Sequence, residues 1–292
     1  MKNRNLAILL VGIVTVVSAT SIGQAYAQMV TDNEVGKIYT GNPKECWMDS
    51  DADGVMDTPC KIDSGHTAFV YTATTLVLWM TPGVAFFYGG LARSKNAVNT
   101  IGMTFIVIGL ISLQWVLWGF SIAFGPESNG LNEFASSFDY IGLNKVSHLA
   151  PLGAPLDDGT CLQTASCGSD YWAGQIPHQL FSMFQLTFAV ITPALIVGAL
   201  IDRMKFSALL IFIILWASFV YDPVAHWVWG GGWLGGLDLN PDLSPSFALD
   251  FAGGTVVHIT SGFSGLAAAL VLGRRLGYGR SEEHTSELQS QR

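Results

Sequence analysis

Five apolar stretches punctuate this chain, at 68–91, 98–124, 176–201, 206–229 and 251–273. Each is long enough to cross a bilayer, since a helix needs about 20 mainly apolar residues to span a hydrocarbon core of about 30 Å. Each also holds internal Gly, Pro or polar residues, which a bundle tolerates where helices pack on one another. Only 12% of the 292 residues are charged and 50% are hydrophobic, whereas soluble domains carry about 25% charged residues. That balance excludes an ordinary soluble enzyme and a disordered chain. The 32 glycines and nine tryptophans agree, because Gly is frequent in membrane helices and Trp collects at their ends. With a net charge of −8, no basic stripe is available for phosphates, so nucleic acid is not a partner. The fold class predicted is an all-α membrane protein.

The segments between the spans set an orientation. Residues 1–27 read as a signal peptide. Lys2 and Arg4 precede an apolar run from Leu6 to Val17, and Ala25-Tyr26-Ala27 forms a small-x-small cleavage pattern before Gln28. The uninterrupted run is short for a membrane helix, which is the competing reading. Arg93 and Lys95 follow the first span, Arg203 and Lys205 the third, and Arg274 and Arg275 the fifth. Alternate loops carry most of the acid, including Asp157 and Asp158. The positive-inside rule therefore predicts a multi-pass protein of the cytoplasmic membrane with its mature N-terminus outside. Residues 28–67 then form an external acidic loop and 68–276 the membrane domain. After Tyr278 the composition turns polar without any apolar period. Residues 277–292 are read as a non-native or misread tail.

In this orientation Cys46, Cys60, Cys161 and Cys167 all lie outside the cytoplasm. An oxidising location favours disulfides, and Cys46–Cys60 with Cys161–Cys167 is the simplest of three connectivities. Cross-pairing of the two loops and free thiols are the alternatives. Neither loop has the close CxxC spacing of a zinc site. Asp49, Asp51, Asp53 and Asp57 fall at positions 1, 3, 5 and 9 of a loop with Gly54 at position 6. That is most of a calcium-binding pattern, although Cys60 replaces the bidentate Glu at position 12. The loop is either an external Ca2+ site or a solvated acidic segment that attracts cations diffusely. No cofactor is otherwise required.

Some side chains are too polar for lipid. Gln185 lies in the third span, Asp222 and His226 in the fourth, His258 in the fifth, and Asp250 at the start of the fifth. Ionisable groups at membrane depth face a protein interior or an aqueous path. His258 shares a predicted helical face with Gly254 and Gly262. It is either a satisfied interhelical hydrogen bond or a neutral imidazole lining a narrow pore. Asp250 suits an N-cap. Trp229 belongs either to an interfacial belt or to a cation-attracting ring beside the glycines that follow it. Phe184 and Phe188, one turn apart, are by default packing residues. No nucleophile–base pair or metal-ligand cluster appears in the spans, which argues against a membrane enzyme.

Several of these stretches share one resemblance. Pro82-Gly83-Val84-Ala85-Phe86-Phe87-Tyr88-Gly89-Gly90-Leu91, Thr192-Pro193-Ala194-Leu195-Ile196-Val197-Gly198-Ala199 and Ala225-His226-Trp227-Val228-Trp229-Gly230-Gly231-Gly232 are similar to the ammonium transporter family, the relatives of Rh proteins. So is Leu249-Asp250-Phe251-Ala252-Gly253-Gly254-Thr255-Val256-Val257-His258-Ile259, the most specific block. The resemblance covers residues 68–276 and implies an eleven-helix bundle with a five-plus-five inverted repeat, of which this chain carries the first five. It further implies a homotrimer with one pore per subunit and a PII-type regulator on the cytoplasmic side. Trp229 matches the family's external ammonium-binding aromatic, and Asp250 the acid that organises that site. Phe188 matches the aromatic gate and His258 the first of two pore histidines. Asp222 stands where an apolar residue is more familiar, and its role is open.

The function so implied is ammonium transport: external NH4+ is recruited and loses its proton, and NH3 passes a hydrophobic, histidine-lined pore. The rivals are an Rh-like neutral gas channel and an ammonium sensor with a signalling module elsewhere.

Overall fold

The computed structural model describes residues 47–48, 58–59, 62–125, 136–146, 148, 176–234 and 250–275. The signal peptide, all four cysteines, the four carboxylates of the calcium pattern and the tail lie outside those residues. A two-residue strand β1 (Trp47–Met48) pairs antiparallel with β2 (Thr58–Pro59). Among the described residues the remaining elements are helices.

Among the described residues five helices are long and apolar enough to cross a membrane: α1 (Ser64–Leu91), α2 (Ser94–Phe124), α3 (His178–Leu200), α4 (Phe206–Trp229) and α5 (Gly254–Leu272). The bounds of α4 coincide with those read from the sequence. Helices α1 and α2 each begin four residues earlier than their apolar runs, because polar residues extend the helix beyond its lipid-matched part. The start of α1 is closed by Asp63, whose carboxylate accepts from the His66 amide at 2.7 Å.

Packing explains the sequence of each helix. In α1 the buried residues are Thr67, Thr74, Thr81, Ala85 and Gly89, a narrow stripe of small side chains. Small residues let membrane helices approach closely. The hydroxyls of Thr67 and Thr74 donate to carbonyls one turn back, so they need no partner across the interface. Much of the remaining surface of α1 is exposed, with the large apolar side chains of Phe69, Trp79 and Phe86 on it. Helix α3 is the most enclosed of the five and runs through the centre of the bundle. Its Pro193 removes one ladder hydrogen bond.

Helix ends gather at two poles. At one, Asp202 accepts from Arg93 Nε and Nη2 at 3.0 Å each and from Asn96 Nδ2 at 2.6 Å. This ties the α1–α2 turn to the end of α3. The hydrogen bonds from Arg93 hold the Asp202 carboxyl below the usual carboxylate range, against the opposing effect of burial. At the other pole an aromatic cluster joins Trp115, Phe120 and Phe124 of α2 to Phe181 of α3. Tyr140, in the segment that follows α2, stacks on Phe120 at 5.6 Å between centroids.

Three of the five helices carry a π turn: Trp115–Gly119 in α2, Ala217–Tyr221 in α4 and Gly254–Ile259 at the head of α5. Such turns insert one residue and often sit at functional positions.

Candidate functional site

The site is built at the aromatic pole, where α4 ends and α5 begins. Helix α4 runs to Trp229, and the Gly230 amide closes it on the carbonyls of Ala225 and His226. Gly230 presses against the Ala123 carbonyl, a contact that leaves no room for a Cβ. His226, one turn earlier, is fully buried, and its Nδ1 lies 3.2 Å from the same carbonyl. These contacts fix where α4 delivers Trp229.

Asp250 then organises the approach to α5. Its carboxylate accepts from the amides of Gly254 at 2.7 Å, Thr255 at 2.8 Å and Val256 at 3.0 Å. Residues 251–253 form a turn rather than the first helical residues read from the sequence, and Gly253 takes φ +79°. A left-handed backbone favours glycine there, and a Cβ would also meet the Val257 side chain at 2.6 Å. Because the turn intervenes, Asp250 caps across it. The backbone carbonyl of Asp250 accepts the Trp229 indole N–H at 2.8 Å. One residue therefore orders the helix start with its side chain and the indole with its main chain.

Phe188 completes the group. Its ring packs edge-on to Trp229 at 5.9 Å and 67°, and edge-on to Phe184 at 5.0 Å and 88°. The Thr192 hydroxyl donates to the Phe188 carbonyl at 2.6 Å. Edge-to-face pairs of this kind contribute about 0.5–1.5 kcal/mol beyond their buried area. Phe184 and Phe188 form a stepped aromatic surface beside Trp229.

His258 lies in the α5 π turn, where its amide donates to the Gly253 carbonyl at 2.9 Å. Its side chain is exposed, and among the described residues its ring makes no hydrogen bond. The reading of His258 as a satisfied interhelical contact is therefore not realised within these five helices. The α-helical phase between Gly254 and His258 is also replaced by an i→i+5 pattern, which three-point spacing in the sequence does not reveal.

Phe188, Trp229 and Asp250 come together, with His258 further along the helix that Asp250 caps. Asp222 lies elsewhere, turned to α2, where Gln114 Nε2 donates to its Oδ2 at 2.6 Å. Sequence reasoning missed Gln114. The available signal was an amide side chain in the interior of an otherwise apolar span.

Fold and site together define a multi-pass membrane protein. The chain belongs to the Ammonium Transporter Family, whose profile it matches over residues 68–291. It is 46% identical over 220 residues to the ammonium transporter of Bacillus subtilis, covering 75% of this chain and 46% of that one. It is 45% identical over 216 residues to the ammonium transporter of Aquifex aeolicus, covering 74% and 44%. Among solved structures it is similar to Candida albicans Mep2, with a TM-score of 0.57, 33% identity, and coverage of 74% of this chain and 40% of that one. The chain spans about half the length of the curated relatives it matches. Those relatives are named transporters, not enzymes.

Proposed function

We propose that this chain forms one wall of a pore that takes up ammonium across the cytoplasmic membrane, with the mature N-terminus and the aromatic pole outside. The observation that carries this reading is the joining of Trp229, Phe188 and Asp250 at the head of the helix that bears His258.

Ammonium and potassium are similar in size and charge, so size alone separates them poorly. The Trp229 ring, held by its indole bond to Asp250, offers a fixed π face to a cation at the membrane surface. The Asp250 carboxylate is occupied by three amides, so it shapes this place without serving as the main contact. Beyond Trp229 the Phe188 and Phe184 rings close the way with apolar edges. An ion that passed them would lose hydration at a cost of several kcal/mol. Ammonium avoids that cost by leaving its proton behind, whereas potassium has none to leave. Neutral ammonia then reaches His258, whose imidazole both donates and accepts hydrogen bonds. The second wall comes from a second repeat, as in transporters whose sites lie between inverted repeats. The homotrimer and the PII-type regulator implied by the family resemblance belong to the same reading.

A chimera of this chain with the second half of the Bacillus subtilis transporter tests it. Reconstituted in liposomes, the chimera should take up methylammonium saturably and exclude potassium, and His258→Ala should reduce the flux or admit potassium. Uptake no greater than in empty vesicles, or equal passage of potassium, overturns the reading. Current on ammonium addition distinguishes net charge transport from a neutral gas channel.

A further inference from the structure

Asp222 is 0% exposed within the fourth membrane helix, and the transport reading makes no use of it. Among the described residues its side chain makes one hydrogen bond, accepted at Oδ2 from Gln114 Nε2, 2.6 Å away. Gln114 is itself only 2% exposed. Among the described residues each of these two planar groups leaves one buried oxygen without a partner: Oδ1, the second carboxyl oxygen of Asp222, and Oε1, the single oxygen of the Gln114 carboxamide. With the carboxyl ionised both atoms are acceptors only, so the pair is short of one donor. Buried polar atoms are ordinarily satisfied, and an orphan of this kind calls for a physical reason.

No cation supplies the missing donor. Among the described residues no ion pair includes Asp222. The titratable neighbours are Tyr221, which directly precedes it on the helix, and His226, one turn on, with its Nδ1 3.2 Å from the Ala123 carbonyl. Helix α2 brings Gln114 and Trp118 to this region, both neutral. The indole of Trp118 donates to Ser218 Oγ at 2.8 Å, and Ser218 also lies 3.3 Å from Gln114 Nε2.

We propose that Asp222 is a neutral carboxylic acid that donates from Oδ1 to Gln114 Oε1 while accepting from Nε2 at Oδ2, and that this two-point clasp positions the outer part of α4. A protonated carboxyl and a primary amide each present one donor and one acceptor. One proton on Asp222 therefore satisfies both orphaned oxygens without placing a charge at membrane depth. The clasp also joins two irregular places in the backbone. Gln114 immediately precedes the π turn of α2, and Asp222 immediately follows that of α4. Gly119 leaves the space for it, since a Cβ there would meet the Gln114 carboxamide at 2.8 Å. From the clasp, α4 runs about two turns to Trp229, so Asp222 acts as a positioning residue. The inference concerns the geometry of α4 and does not rest on the transport reading.

Infrared difference spectra of the detergent-solubilised protein, wild type minus Asp222→Asn, test it directly at neutral pH. The expected difference is the C=O band of one protonated carboxylic acid, shifted in D2O. Asparagine supplies an N–H in place of the O–H, so its unfolding midpoint should match the wild type. Asp222→Ser cannot span the pair, and amides of residues 222–229 should exchange at least about tenfold faster in it, because both buried hydrogen bonds of the clasp are lost. Carboxylate bands in the difference spectrum overturn the proposal. So does an Asn variant as labile as the Ser variant, or unchanged exchange in the Ser variant.

Discussion

Replacing Asp250 by alanine is expected to destabilise the head of α5 and with it the aromatic site. The carboxylate accepts one amide on Oδ1, from Gly254 at 2.7 Å, and two on Oδ2, from Thr255 and Val256 at 2.8 and 3.0 Å. Fully buried hydrogen bonds to a charged acceptor contribute about 1.5–3 kcal/mol each. Asp250 is only half-buried, however, and water replaces part of what is lost. The relevant scale is therefore removal of an N-cap, about 0.5–2 kcal/mol, and three amides place the loss near about 2 kcal/mol. The negative charge beside the helix N-terminus adds to the same sum. Asp250→Asn keeps one acceptor oxygen and should cost about half as much, since one shared oxygen still serves the orphan amides. Denaturant unfolding in mixed micelles measures both variants, and hydrogen exchange over residues 254–260 localises the effect. The indole of Trp229 binds the main-chain carbonyl, so it is released only to the extent that the turn at 250–253 loosens. Ammonium recruitment should accordingly weaken more in the alanine variant than in the asparagine variant. An alanine variant within about 0.5 kcal/mol of wild type, the range of an ordinary surface substitution, would refute the capping argument. Equal losses for alanine and asparagine would also refute it.

Three further outcomes are expected. Asp202, held below the usual carboxylate range mainly by the hydrogen bonds from Arg93, contributes stability that is present above the unfolded Asp range and lost as pH falls through the lower, folded value. Asp202→Asn should therefore unfold earlier than wild type at pH 7, and the gap should close in strong acid; a gap independent of pH counts against the ion pair. In the chimera, Trp229→Leu should raise the half-maximal methylammonium concentration about 2- to 30-fold, the equivalent of about 0.5–2 kcal/mol of cation–π attraction. An unchanged half-maximal concentration assigns Trp229 to the interfacial belt. The 292-residue chain alone should not conduct, because His258 is exposed among the five helices and the proposed pore closes only between two repeats. Reproducible methylammonium uptake by that chain in proteoliposomes would show otherwise.

The number of spans, their approximate places and the family were legible in the chain because they depend on local properties. Apolar run length decides whether a segment crosses a bilayer, and the bounds of α4 could be read to the residue at both ends. The block from Leu249 to Ile259 likewise named Asp250 and His258 directly. What periodicity records is which residues are apolar along one helix. It does not record which side chains from distant helices meet, or where a ladder slips by one residue. The Gln114–Asp222 contact joins positions 108 apart, and Arg93–Asp202 positions 109 apart. Neither pair shares a local pattern, so Asp222 looked like an isolated misfit until α2 and α4 were packed together. The π turn at Gly254–Ile259 carries no signature in the sequence either. It accompanies the three amides drawn to the Asp250 carboxylate and the left-handed Gly253. The chain by itself singled out Phe188, Trp229, Asp250 and His258. Only the tertiary structure decided that Asp250 serves Trp229 through its main chain and α5 through its side chain, because those bonds need a turn and two helix ends in fixed mutual positions.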